Sequence, residues 1–318
     1  MRKALKGFII AGIALCVAGV LTFVIGMSII GWDFFKLDTA KYEAKQFESS
    51  EQIVAVKLDI DSFPITVKSG DVVTLDYYEA SDSKVSVEVS DGVLKIRERR
   101  SRNPFNGMFN LGRINHRYTL TVSSEIDIDI ISTSSSVRFD GLDLPSLAVS
   151  GANTDLELVD CTINEFTVSS TNLDLEMRNC AIDILDLKSG ANADIEIASC
   201  RGQSVSLSYT NLTFDIESSQ YDEMNVLGVN IDVVSDELNV NSLLIDGVNV
   251  DASLIDITVD TLDLSGTNLD AHIMVNGERG DYTILSDGRG LPHSSVGATD
   301  KKITLSGVNN DVDLVFSL

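Results

Sequence analysis

Ser150-Gly151-Ala152-Asn153-Thr154-Asp155-Leu156-Glu157-Leu158 opens a pattern that returns as far as Ile273. Its asparagine recurs at Asn172, Asn192, Asn211, Asn230, Asn249 and Asn268, with only the step from Asn172 to Asn192 longer than the others, by a single position. Apolar-x-apolar-Ser-small precedes most of these asparagines, and an alternating strand follows each. A fixed period of roughly 20 residues marks a solenoid, in which each repeat is one coil that buries its core only against its neighbours. Within the coils, alternation places Leu156, Leu158, Cys161, Ile163, Phe166 and Val168 inside, and Leu175, Met177, Cys180, Ile182, Leu185 and Leu187 at the same sites one coil later. The head-to-tail repeat predicts parallel stacking. The expected fold is all-β, a parallel β-solenoid of about ten coils and roughly 45–50 Å in length.

Working outward, Ser134 lies one period before Asn153, and Val137-x-Phe139 aligns with Leu156-x-Leu158, so the first coil starts near Ile126. Toward the C-terminus, Asp287-Gly288 falls near the next asparagine position, and Asn309 stands about two periods beyond Asn268. That spacing predicts two further coils in order, with a loop near 289–300 inserted into the penultimate one. The solenoid is assigned to 126–318. Residues 51–125 read as short strands that cap its N-terminal end, with Asp91-Gly92 a hairpin turn. Inside this module, residues 95–117 form a basic loop. Lys95, Arg97, Arg99, Arg100, Arg102, Arg113 and Arg117 face only Glu98, and Phe105, Met108, Phe109 and Leu111 lie among them. Arg99, Arg100, Arg102, Phe105, Phe109 and Arg113 are a candidate surface for docking on anionic lipid or polymer; pairing with the protein's own acids is the plainer alternative.

The N-terminus is of another kind. Arg2, Lys3 and Lys6 precede an uncharged, mostly apolar run from Gly7 to Gly31, followed by Trp32. This run exceeds the roughly 20 residues needed to cross a bilayer. The expectation is a single-pass signal anchor over 1–32, N-terminus cytoplasmic by the positive-inside rule, then a stalk over 33–50 and an extracytoplasmic remainder. All 48 acids but only 21 of the 24 Lys and Arg lie after Gly31. So acidic a chain argues against a nucleic-acid partner, which requires clustered cations.

A fixed period turns each position into a column. Asn153 to Asn268 form a column suited to an amide ladder, and asparagine also tolerates a left-handed corner. Cys161, Cys180 and Cys200 form a second, continued by Ser219, with no histidine to complete a zinc site. The third column is acidic: Asp155, Asp174, Asp194, Asp232, Asp251 and Asp270, flanked by Glu157, Glu176, Glu196 and Asp215. Like charges about 4.8 Å apart repel by about 0.9 kcal/mol even at the dielectric of water. The row is therefore a candidate binding face for Ca²⁺ or a cationic peptide, or else a charged guard against sheet aggregation. No metal motif, phosphate loop or dinucleotide fingerprint is present, and neither metal nor cofactor is expected of the chain by motif. The three histidines are scattered, and no nucleophile motif marks a catalytic centre.

The anchor, the strands from Val56 to Leu75, the Ser-Gly coils and the closing Ile303-Thr304-Leu305-Ser306-Gly307-Val308-Asn309-Asn310-Asp311-Val312-Asp313-Leu314 together resemble the bacterial domain-of-unknown-function family labelled "putative adhesin". The resemblance covers residues 51–318. It implies a non-enzymatic β-helical surface protein, with some relatives tied to envelope stress and antimicrobial-peptide sensing, and it transfers no catalytic residues. The expected role is surface binding, adhesion or envelope-stress sensing, with a cationic peptide, an envelope polymer or a protein as partner. A carbohydrate-active β-helix enzyme and a passive spacer are the alternatives.

Overall fold

The computed structural model describes residues 2–29, 31–32, 42–60, 64–80, 83–100 and 117–317. The chain divides into two compact units. The described part of the first contains the helix α1 (Arg2–Ile29) and residues 31–32, 42–43, 78–80, 83–84 and 99–100. Two hydroxyls in α1 bond back onto their own helix, Thr22 to the Ala18 carbonyl and Ser28 to that of Val24, both at 2.8 Å. This leaves neither polar side chain seeking an outside partner. The helix stops where Gly31 takes a φ of 71° and the Trp32 N–H donates to the Met27 carbonyl at 2.8 Å, a left-handed C-terminal cap. The stretch Ala11–Ile29 is long and apolar enough to cross a membrane.

The second unit is a β-solenoid of about nine turns, close to the expected ten. The strands, of which residues 42–43, 78–80, 83–84 and 99–100 fall in the first unit, are β1 (Tyr42–Glu48), β2 (Ala55–Asp59), β3 (Ile65–Ser69), β4 (Thr74–Ala80), β5 (Ser83–Ser90), β6 (Val93–Arg100), β7 (Tyr118–Val122) and β8 (Asp127–Asp140). Then follow β9 (Asp143–Val159), β10 (Thr162–Arg178), β11 (Ala181–Ala198), β12 (Arg201–Glu217), β13 (Gln220–Asp236), β14 (Asn239–Asn276), β15 (Thr283–Arg289) and β16 (Lys302–Ser317). From β8 to β14 each strand pairs in parallel with the next, and Ser134 opposes Asn153 as the repeat predicts. Every core side chain named from the alternation is buried, none more than 2% exposed. The one longer coil, from Asn172 to Asn192, absorbs its extra residue as a register shift between Leu187 and Gly190.

The asparagines form an unbroken ladder. The Nδ2 of Asn172 donates to the Oδ1 of Asn153 at 2.7 Å, and Asn192, Asn211, Asn230, Asn249 and Asn268 each donate to the preceding member at 2.6–2.8 Å. Asn309 completes it on Asn268 at 2.9 Å. The small residue two positions before most of the asparagines lets the chains close up: a Cβ on Gly307 would lie 2.5 Å from the Gly266 carbonyl oxygen.

The left-handed corner lies elsewhere than expected. No ladder asparagine has positive φ; the corner falls seven residues after each asparagine from Asn153 to Asn249, at Asp160, Asn179, Ser199, Ser218, Glu237 and Asp256, with φ of 47–55°. Immediately after it stand the column cysteines, all free and buried. The Cys161, Cys180 and Cys200 thiols donate to the carbonyls of Val159, Arg178 and Ala198 at 3.3 Å, and the Ser219 hydroxyl does the same to Glu217 at 2.7 Å. The column thus braces the corner. A hydrogen bond with Cys180, and then burial, pushes the Cys161 thiol well above its usual range.

Both ends depart from sequential order. At the N-terminal end, β2 and β3 stack directly on β8, and β6 and β7 lie one level further out, although they follow β2 and β3 in sequence. Strand β4 runs antiparallel to β7 there. At the C-terminal end the expected order of the last two coils is reversed. Strand β16, not the segment around Asp287, stacks on β14, with Asn309 opposite Asn268, and β15 lies outside β16. The reason is length and ladder chemistry. The long β16 matches a whole turn and supplies an asparagine, whereas the short β15 has neither.

Removing a ladder amide from the middle breaks two bonds and from the end only one. Asn211→Ala is expected to lower stability by about 1–2 kcal/mol and Asn153→Ala by about half that, measured by denaturant unfolding. At the corner, Ser199→Gly should raise stability by roughly 0.5–1 kcal/mol, because glycine relieves the left-handed strain by more than it loses in chain entropy.

Candidate functional site: an acidic face

The strand that follows the ladder turns alternate residues outward, and stacking aligns them. Asp155, Asp174 and Asp194 are direct register partners, continued through Thr213 to Asp232 and Asp251. Asp270 is paired with Asp311 further along. Two residues on, Glu157, Glu176, Glu196 and Asp215 form the adjacent column. All the aspartates of both columns and Glu196 are exposed; Glu157 and Glu176 are half-buried. The ten acidic residues named from sequence thus share one face.

They are not equivalent. Arg138 reaches from the rung below to Glu157, and Arg178 pairs with Glu176 on its own strand. These two arginines neutralise one side of the face, a division the repeat pattern does not reveal. Asp155, Asp174, Asp194, Glu196 and Asp215 make no ion pair among the described residues. Within this group, partial burial followed by the charges of Asp155, Asp194 and Glu196 raises the Asp174 carboxyl above its ordinary value. Partial burial followed by the charges of Glu196 and Asp194 does the same to Asp215. The first column is interrupted at Thr213 and beyond Asp215 the second turns to Val234, Ser253 and His272, so only the three rungs of Asp155, Asp174 and Asp194 are acidic in both columns.

What this grid suits is a spread of positive charge rather than one compact ion. Among the described residues no three carboxylate, histidine or cysteine side chains converge as a metal cage. Asp174 and Asp215 are shifted in the same direction by the same kind of cause, whereas general acid–base work needs neighbouring groups pushed apart. Of the basic loop, Arg99 is exposed near the end of β6 and Arg100 ends that strand. Arg102, Phe105, Phe109 and Arg113 lie outside the described residues.

The chain belongs to the Toastrack DUF4097 family, whose sequence model matches residues 53–313. Similar solved structures include a putative adhesin from Bacteroides fragilis NCTC 9343, 11% identical, covering 87% of this chain and 97% of its own, with a TM-score of 0.31. A putative cell adhesion protein from Clostridium sporogenes ATCC 15579 is 10% identical, with coverages of 87% and 98% and a TM-score of 0.23. A putative lipid binding protein from Parabacteroides distasonis ATCC 8503 is 10% identical, with coverages of 87% and 97% and a TM-score of 0.32. No curated protein matches the chain significantly.

The raised carboxyls have a stability consequence with a definite sign. Asp174 and Asp215 hold their protons more tightly folded than unfolded, so stability falls as pH rises from the ordinary carboxylate range through their raised values. At pH 7 Asp174→Asn and Asp215→Asn should each stabilise the fold, by about 0.5 kcal/mol or less after solvent screening. Thermal melts should show the wild type gaining stability on acidification, the double variant gaining less, and the difference shrinking in high salt.

Proposed function

We propose that this chain is a non-catalytic, membrane-anchored surface protein of the bacterial envelope that binds cationic ligands on its acidic face. In this reading α1 crosses the membrane with Arg2, Lys3 and Lys6 on the cytoplasmic side, and the solenoid stands outside. The basic cluster ahead of the apolar helix supports that orientation. Adhesion or envelope-stress sensing then follows from what the face captures.

The observation that carries the reading is the group Asp155, Asp174, Asp194, Glu196 and Asp215. Five carboxylates in two adjacent columns, without ion pairs among the described residues, repel one another across a fixed spacing. The solenoid holds them there regardless of the cost, since each sits on a strand whose inward neighbours are buried. A polycation with charges several ångströms apart removes that repulsion on binding and gains attraction to several acids at once.

Spermine, a linear polycation without peptide groups, is the probe. Calorimetric titration of the full chain in nonionic detergent should show binding that weakens steeply with salt. In Asp174→Asn/Asp194→Asn/Asp215→Asn it should weaken by about tenfold or more, about 1.4 kcal/mol. Binding indifferent to salt and to these substitutions, or no binding, would remove the acidic face from the account.

A further inference from the structure

The C-terminal end of the solenoid is covered over only half a turn. Strand β15 pairs with residues 302–309 of β16 and stops there. Asn310 is still covered, its Nδ2 donating to the Arg289 carbonyl at 2.9 Å. Over residues 311–317, β16 pairs with β14 on its inner side, and among the described residues no strand pairs with its outer side. The side chains record the same opening. Ala271, Ile273 and Val275 in the rung beneath are at most 4% exposed. Their register partners Val312, Leu314 and Phe316 are only half-buried. Tyr282 and Arg279 cover part of the Phe316 ring, at 5.5 and 6.0 Å, and leave Val312 and Leu314 as the uncovered floor. About half of the N–H and C=O groups of such a strand point away from its paired neighbour.

The charges on this edge select its occupant. Asp311 and Asp313 are exposed and alternate with the apolar floor. Asp311 stacks on Asp270, while Asp313 lies 3.1 Å from the His272 ring. Two copies of this chain meeting edge to edge would set these aspartates against their own counterparts, on molecules that each carry a net charge of −24. Self-association is therefore opposed. An extended segment with alternating cationic and apolar residues meets both requirements: its cations oppose Asp311 and Asp313, and its apolar side chains continue the core over Val312 and Leu314.

We infer that the open edge over residues 311–317 is a β-augmentation site, which takes an extended peptide of alternating basic and apolar residues as an additional half-rung. The backbone of the peptide supplies hydrogen bonds to the edge, and its side-chain alternation supplies the selectivity. Asp311 continues the aspartate column beyond Asp270, but the edge lies past β13 and β14 from the carboxylate group on β9 to β12 and does not depend on a ligand there.

The test uses the full chain in nonionic detergent and a fluorescent Lys-Val-Lys-Val-Lys-Val-Lys peptide, read by anisotropy. Two N-methylated forms are compared with it, one methylated on the valine amides and one on the lysine amides. Because a docked strand turns alternate N–H groups to the edge, one methylated form should bind about tenfold more weakly or worse, and the other within about threefold of the parent. Asp311→Lys/Asp313→Lys should weaken the parent peptide about tenfold or more, and Asp174→Asn/Asp194→Asn/Asp215→Asn should leave the methylation contrast intact. Equal affinities for all three peptides, equal loss in both methylated forms, or no binding of the parent would overturn the inference. Spermine has no amides to pair, so its binding stands or falls independently of this outcome.

Discussion

Parallel strands stacked in register repeat every position of the coil at the strand spacing of about 4.8 Å. Everything else in the solenoid follows from that constraint. An inward apolar residue becomes a filled core, as at Leu156, Leu175, Ile195 and Phe214, and an asparagine becomes a chain of amide bonds. An outward aspartate becomes a row of charges that no side-chain rotation can disperse. The same stacking that stabilises the amide column strains the carboxylate column. The strain is tolerable because the face is exposed and solvent screens most of the repulsion.

The periodic features were legible in the sequence because a period needs no knowledge of the third dimension. The ladder, the buried columns and the alignment of Ser134 with Asn153 all come from spacing alone. The left-handed corner escaped, since its residues include Asp160, Ser199 and Glu237 rather than the glycine that usually marks such a conformation. Its trace was the small residue that follows it, Cys161, Cys180, Cys200 or Ser219, whose thiol or hydroxyl ties down a carbonyl two positions back.

The ends escaped for a different reason. A spacing of about two periods between Asn268 and Asn309 is compatible with either order of the last two strands, and the choice depends on which strand better fits a whole rung. Strand β16 does, and the short β15 is left outside it as half a lid. On the acidic face the columns were legible but their inequality was not. Arg138 lies a full rung from Glu157 in sequence, and only the stack brings them together.

Partial burial and then like charges fixed by the stacking raise the Asp174 and Asp215 carboxyls. Carbon-13 carboxyl titration by NMR on selectively labelled protein measures this directly. Both should titrate above the ordinary carboxylate range at low salt, and their values should fall toward it as salt rises or when Asp194 and Glu196 are replaced by Asn and Gln. Ordinary values at low salt, unmoved by those replacements, would contradict this.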